Sequence, residues 1–438
     1  MMGYDEYAAL NQRLMQGQRW YISGRPGTER ISRYRSDESR LLYYPRIGVY
    51  TGSGASHSWL WVAEMLDRMG FHDVAFLDAA GVQNGLLEGM DVLMVSGGDT
   101  FAAANALGPA GALAIAHFVS RGGLYIGACA GAYLVMNSSK PGLADFNFTA
   151  VKITNLSKSL PACFQMPHKF STSYGCDYIF HPVRETVRLR IDGHLPFAPD
   201  EELDAPLYGG AGMLASRDVQ VLACYHAFTP DTAFLVDPGL ASETLLGTAA
   251  ALRSPMGNGW FYLFGPHFEH PRYPAANAFL ADAIFWDSQP NSAGRHTAEA
   301  PPLASEAESR RLLKDIKREV SNARICAGGM EMLPIGWLIG AKYYEPEKIR
   351  YFLEAIWHRL QRLEKGGRVR CSDEQAQRLR RFSIATTERV RQLKQNIEST
   401  EGTRDLAESL FSLLQCYAVT FLELYFQTLS NPTFNSRS

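Results

Sequence analysis

The sequence predicts an α/β fold, a doubly wound and mostly parallel sheet, followed by a C-terminal all-α bundle. Three observations carry that expectation. Strand-like and helix-like runs alternate from Arg46 to Leu134, the motif Gly127-Ala128-Cys129-Ala130-Gly131 sits at one of their junctions, and striped amphipathic stretches fill the C-terminal third. A chain of 438 residues exceeds one compact core, so more than one domain is expected.

Taken in order, residues 1–44 are polar and dotted with arginines and aromatics. They read as an N-terminal extension with a helix near residues 4–16. Ile47–Tyr50 reads as a strand and Ser56–Met69 as an amphipathic helix. Val74–Leu77 and Val92–Val95 are further strands, the second running into Ser96-Gly97-Gly98. A helix opened by Pro109 passes through Ala114 and Phe118, and Leu124–Ile126 is a fourth strand that feeds the cysteine motif. Alternation of this kind puts ligand sites at the carboxyl ends of the strands, where Gly97, Gly98 and Cys129 all fall.

From about 145 to 270 the chain is strand-rich, with turn signals such as Gly257-Asn258-Gly259 before Trp260–Phe264. That last strand delivers Gly265-Pro266-His267-Phe268-Glu269, and a helix over Ala275–Trp286 closes a domain spanning 45–287. Residues 288–304 are a linker by composition, 305–431 a helical domain and 432–438 a tail. In the helical domain, Ile349, Phe352, Leu353, Ile356, Leu360 and Leu363 form one apolar stripe. Leu379, Phe382, Val390, Leu393 and Ile397 form a second, and a third apolar helix runs over 405–429.

Composition narrows the function. A formal net charge of −2 gives no global pull toward nucleic acid or membrane surfaces, and neither is expected as a partner. The N-terminus lacks a basic segment followed by an apolar one, and no run of about 18 apolar residues occurs, so a cytoplasmic protein is expected. Seven cysteines at 129, 163, 176, 224, 326, 371 and 416 form no ligand-spaced cluster, so no metal and no cofactor are expected. The basic residues between Lys365 and Lys394 read as a solvated helix face, with an anionic partner as the sharper alternative.

The chemistry-bearing residues lie at strand ends. Gly-x-Cys-x-Gly between a strand and a helix is a nucleophile elbow with cysteine in place of serine, and a helix N-terminus favours the thiolate. A buried structural cysteine is the plainer alternative. A cysteine nucleophile needs a base and a group to orient that base. His267 and Glu269, two apart on an extended segment, can face the same side, with His267 as base and Glu269 fixing its tautomer. Acyl transfer also needs donors to a developing oxyanion, for which the backbone N–H groups of Ala130 and Gly98 are the candidates.

Together, Val95-Ser96-Gly97-Gly98, Gly127-Ala128-Cys129-Ala130-Gly131 and His267-Phe268-Glu269 resemble the three signatures of the class I glutamine amidotransferase-like superfamily. Thr51-Gly52-Ser53-Gly54-Ala55-Ser56 and Leu207-Tyr208-Gly209-Gly210 resemble the branch found at the N-terminus of fungal biotin–protein ligases and as stand-alone bacterial proteins. The resemblance covers roughly 45–285 and implies a flavodoxin-like, amidotransferase-like sheet. It implies catalytic Cys129, His267 and Glu269, and a substrate pocket at Gly97, Tyr133, Tyr208 and Gly209. Tyr133 stands where family members usually carry a glutamine that holds the substrate, and Phe268 where they carry proline. The scissile amide is therefore expected to differ from that of free glutamine, and no biotin-ligase catalytic domain is expected.

Two functions stay open at this stage. One is a cysteine-dependent amide hydrolase or amidotransferase working through a thioester on Cys129, with a small-molecule or peptide amide as substrate. The other is a non-catalytic ligand-binding or regulatory protein whose helical domain carries a protein partner or self-association.

Overall fold

A computed structural model describes residues 2–23, 31–33, 35, 39–160, 179–192, 202–290, 301–333, 337–338, 341–342, 346–399 and 403–430. The middle of the expected linker, the tail 432–438, Cys163 and Cys176 lie outside the described residues. The chain divides into two compact units, 1–71 with 75–296 and 72–74 with 297–438.

Unit 1 is built on one mixed sheet. Its parallel half runs in the order β5 (Val74–Leu77), β4 (Ile47–Tyr50), β6 (Val92–Val95), β7 (Leu124–Ala128) and β14 (Gly259–Phe264). These are short runs of β-branched and aromatic residues buried on both faces: every residue of β4, β6 and β7 is buried. The strand order reverses between β4 and β6, which opens a crevice at their carboxyl ends.

Beyond β14 the sheet turns antiparallel through β13 (Ala249–Met256), β12 (Gln220–Phe234), β9 (Val183–Ile191) and β10 (Glu202–Leu207), with β8 (Val151–Ile153) and β11 (Met213–Ala215) at the side. The doubly wound α/β core is thus present, and the strand-rich stretch extends it with antiparallel hairpins rather than with further crossovers.

Helices cover the parallel half. Helix α2 (Trp59–Arg68) follows β4, and α4 (Thr100–Ser120) joins β6 to β7. The side chain of Asp99 caps α4 by accepting from the N–H groups of Phe101 and Ala102. Gly108, with φ 55°, breaks α4 midway, and Pro109 restarts it, so the helix begins well before the proline that the sequence singles out.

Residues 1–44 belong to unit 1. Helix α1 (Tyr4–Met15) buries Tyr7, whose hydroxyl donates to Asp282, and Asn11 donates to the carbonyl of Met69 at 2.8 Å. A small antiparallel sheet of β1 (Tyr21–Ser23), β2 (Ile31–Ser32) and β3 (Ser39–Leu41) follows.

Unit 2 is helical. Its long helices are α8 (Glu306–Met330), α9 (Pro346–Gly366), α10 (Asp373–Glu398) and α11 (Arg404–Leu429), one more than the three stripes suggest. Ser305 and Glu308 form a capping box at the start of α8. A two-residue antiparallel pair, Trp337–Leu338 with Ala341–Lys342, interrupts the helices. Much of the basic stretch has partners inside this unit: Arg380 with Asp315 at 3.1 Å, Arg368 with the carbonyl of Ala304 at 2.9 Å, and Arg389 with Ser409.

Among the described residues, α4 and α11 are long and apolar enough to cross a membrane. Both act as core helices, α4 burying Ala103, Leu107, Ile115 and Phe118, and α11 burying Leu410, Leu414, Tyr417 and Phe421.

Candidate active site

Four loops at the carboxyl ends of β4, β6, β7 and β14 supply the site. The loop after β7 is a sharp elbow. Cys129 sits at φ 50°, ψ −112°, a backbone conformation that side-chain-bearing residues rarely adopt and that persists only where the surroundings enforce it. Those surroundings are close. A Cβ on Gly131 would stand 1.9 Å from the carbonyl oxygen of Val95, and one on Gly127 would stand 2.5 Å from that of Gly131. The two flanking glycines are therefore a packing requirement of the elbow. The helix after it, α5 (Ala130–Leu134), has only five residues, so its dipole adds little at Cys129.

The charge beside the thiol comes from His267. Its Nδ1 donates to Glu269 Oε1 at 2.7 Å, and Cys129 is close enough to help raise its pKa. His267 and Glu269 are 3 % and 1 % exposed. Burial acts to lower the pKa of His267, but the Glu269 carboxylate and the hydrogen bonds with Cys129 and Glu269 outweigh it, and the pKa ends well above the usual imidazole value. Burial likewise pushes Glu269 up, yet the imidazolium and the bonds from His267 and Ser96 bring it below the usual carboxylate range. The order cysteine, imidazolium, carboxylate is that of a nucleophile, base and orienting acid.

Gly97 and Gly98 follow β6. A Cβ on Gly97 would lie 2.6 Å from His267 Cε1 and 3.2 Å from Ser58 Oγ, so the backbone there forms the wall against the imidazole. Gly98 has φ +150°, and a Cβ would lie 1.9 Å from the carbonyl oxygen of Gly54. Gly98 bridges Ala55 through its neighbours: Ser56 N–H to Gly97 O at 2.9 Å and Asp99 N–H to Gly54 O at 2.8 Å. That pairing leaves the N–H of Gly98 itself outside the bridge.

The other sequence candidates also gather here. The Tyr208 ring lies 5.9 Å from that of His267, and the Tyr133 hydroxyl donates to Gly209 O at 3.0 Å. Tyr133 is buried and tied across to the loop after β10, the opposite of an open glutamine-binding position.

Sequence reasoning missed an aromatic group around the base. Trp61 on α2 packs edge-on to His267 at 5.3 Å, against His270 at 4.4 Å and against His57 at 5.0 Å. Burial and then the charge of His267 push the pKa of His270 down to about 4, so it stays neutral. His226, by contrast, pairs with Glu202 at 2.9 Å on the antiparallel strands. Ser96 was also missed: its hydroxyl lies 2.5 Å from Glu269 Oε1. The one available signal for Trp61 was its place on the buried face of the helix after β4.

A groove of about 420 Å³ is lined by Leu87, Leu113, His117 and Phe118 along the C-terminal half of α4 and contains none of these residues. The chemistry sits at the other end of that helix, where Thr100 Oγ1 donates to the Ala130 carbonyl at 3.2 Å.

Comparison with protein families fits this geometry. Residues 46–145 match the family described as biotin-protein ligase, N terminal. The match covers 100 of 438 residues and includes the Gly97-Gly98 and Cys129 loops, whereas His267 and Glu269 lie beyond it. No curated protein matches the chain. Among solved structures, a cytoplasmic protein from Salmonella typhimurium LT2 aligns at 14 % identity over 62 % of this chain and 97 % of its own, with a TM-score of 0.33. A β-galactosidase from Bacillus circulans sp. alkalophilus aligns at 12 % identity over 57 % of this chain with a TM-score of 0.30, and the aligned part spans about a third of the galactosidase (32 %).

Proposed function

We propose that unit 1 is a cysteine-dependent amide hydrolase or amidotransferase that works through a thioester on Cys129. The observation that carries this reading is the Cys129–His267–Glu269 arrangement, with a strained elbow cysteine beside an imidazole that a buried carboxylate binds and whose pKa it raises.

The geometry supports the following sequence. Cys129 Sγ, as thiolate, attacks the amide carbonyl carbon, and the carbonyl electrons move onto oxygen. The N–H groups of Ala130 and Gly98 are placed to receive that oxyanion. As the tetrahedral intermediate collapses, the C–N bond breaks and His267 gives its proton to the leaving nitrogen, which departs as ammonia or an amine. His267, now neutral, takes a proton from water, whose oxygen attacks the thioester and releases the acid and the thiolate. Glu269 stays ionised throughout and holds Nδ1–H.

The substrate is a small-molecule or peptide amide other than that of free glutamine, because Tyr133 narrows the pocket where the family usually presents an amide-binding glutamine. Unit 2 holds the striped helices and none of the triad residues, and its role in this reading is binding of a protein partner or a second copy.

The reading is tested with an activated ester such as p-nitrophenyl acetate. A burst of nitrophenol with an acyl group on the Cys129 peptide is expected, and its loss in Cys129→Ser. Acylation spread over several cysteines, or unchanged in Cys129→Ser, would remove the nucleophile assignment.

A further inference from the structure

The orienting carboxylate is itself oriented. Glu269 is 1 % exposed, and its Oε2 has no hydrogen-bond partner among the described residues. Val62, Met94, Ile126, Phe264 and Leu280 surround it, with a cavity of only about 10 Å³ between them. Apart from its own backbone N–H, the donors that keep the group ionised fall on Oε1, which accepts from His267 Nδ1 at 2.7 Å and from Ser96 Oγ at 2.5 Å.

Ser96 belongs to a row of hydroxyls. Ser96 Oγ and Ser58 Oγ lie 2.8 Å apart, and Ser58 Oγ and Ser56 Oγ 2.9 Å apart. A hydroxyl carries one proton, and an ionised carboxylate can only accept. The one proton of Ser96 therefore goes to Glu269 rather than to Ser58, whose own hydroxyl donates to the carbonyl of Gly97 at 3.3 Å. The backbone of the same residue reaches the nucleophile, since the Ser96 carbonyl accepts from the N–H of Gly131 at 3.2 Å.

We propose that Ser96 is a positioning residue of this site. It fixes the Glu269 carboxylate and keeps it ionised, so that the carboxylate holds His267 beside Cys129. The proposal rests on the triad reading above and adds a device that the family resemblance does not assign. Without the Ser96 proton, Glu269 takes up a proton at higher pH, and the imidazolium beside Cys129 loses its counter-charge as pH falls. The other titratable groups facing this cluster are His270, held neutral, Tyr225, whose pKa burial and Cys129 push upward, and Tyr208, bonded to Glu185 at 2.9 Å. His270 is held neutral, Tyr225 is pushed upward and Tyr208 is engaged by Glu185, so none replaces the Ser96 donor.

The test is the pH profile of Cys129 alkylation by iodoacetamide in the full chain, read on the Cys129 peptide. Parent, Ser96→Ala, Ser96→Thr and His267→Ala are compared. Ser96→Ala is expected to move the acidic limb up by about one pH unit, about a tenfold rate loss on that limb, and to leave the alkaline plateau unchanged. Ser96→Thr, which keeps the hydroxyl, should restore it. A Ser96→Ala profile that overlays the parent, or that loses plateau rate without moving the limb, overturns the proposal while leaving the triad intact. A parent profile like that of an ordinary thiol and unchanged by His267→Ala would sink the triad reading and Ser96 with it.

Discussion

Gly97→Ala probes the site with a single methyl group. The new Cβ would stand 2.6 Å from His267 Cε1, whereas ordinary contact begins at 3.4 Å, so the ring must retreat by about 0.8 Å. Gly97 shows no positive φ, so alanine brings no backbone strain of the kind it would meet at Gly98. A displacement near 1 Å of a catalytic group costs on the order of 10²-fold in rate. The ring cannot retreat freely, because Trp61 closes it in edge-on at 5.3 Å and Glu269 holds Nδ1. We therefore expect Gly97→Ala to lose about 100-fold in burst rate with p-nitrophenyl acetate, while stability falls by no more than about 1–3 kcal/mol, the usual range for overpacking. Stopped-flow nitrophenol release gives the rate, and urea unfolding of the same sample gives the stability. A variant with parental burst rate would refute the claim that His267 must occupy this position. A loss of rate that tracks loss of folded protein would refute the claim that the effect is local.

Three further outcomes follow from the same geometry. Gly131→Ala forces a Cβ to 1.9 Å from a backbone oxygen that cannot swing away, so it should destabilise unit 1 by about 3 kcal/mol or more, and a urea midpoint like that of the parent would contradict the elbow packing. The raised pKa of His267 makes its contribution to stability complete below about pH 6.5 and lost as pH rises through the raised value. The lowered pKa of Glu269 makes its contribution complete above about pH 4.3 and lost as pH falls, so the stability gap between parent and Glu269→Gln should peak near pH 5–6, and a pH-independent gap would contradict the pairing. Residues 297–438 expressed alone should show a helical circular dichroism spectrum and one cooperative melt, whereas a coil spectrum would contradict a second unit with its own core.

Much of this was legible in the sequence because local physics dictated it. Buried parallel strands show as short apolar runs, and Ile47–Tyr50, Val74–Leu77 and Val92–Val95 fall where those runs are. Gly127 and Gly131 flank Cys129 because backbone atoms fill the space of their side chains, which leaves a mark in the sequence. His267 and Glu269 lie two apart on one extended segment, so their contact is local.

What escaped depends on distant partners. Ser96 reads as a turn residue until Glu269, far along the chain, is seen to accept its proton. Trp61 reads as one more apolar residue on an amphipathic helix. The antiparallel half of the sheet is set by pairings such as Glu202 with Arg190, which no periodicity specifies. Helix α8 did carry a signal, the Ser305 and Glu308 capping box, but its weak apolar stripe hid it.

The most direct test of the central claim sets Cys129 against the other thiols of the chain. Cys129 is buried and Cys416 is exposed. With a limiting amount of iodoacetamide near pH 6, access alone would label Cys416 first. The activation of Cys129 by His267 proposed above reverses that order, because the thiolate is the reacting form of any thiol. Peptide mass spectrometry should find Cys129 labelled at least about tenfold ahead of Cys416, and this preference should vanish in His267→Ala. Labelling that follows exposure in the parent would show that Cys129 is a buried structural cysteine and that the triad does no chemistry.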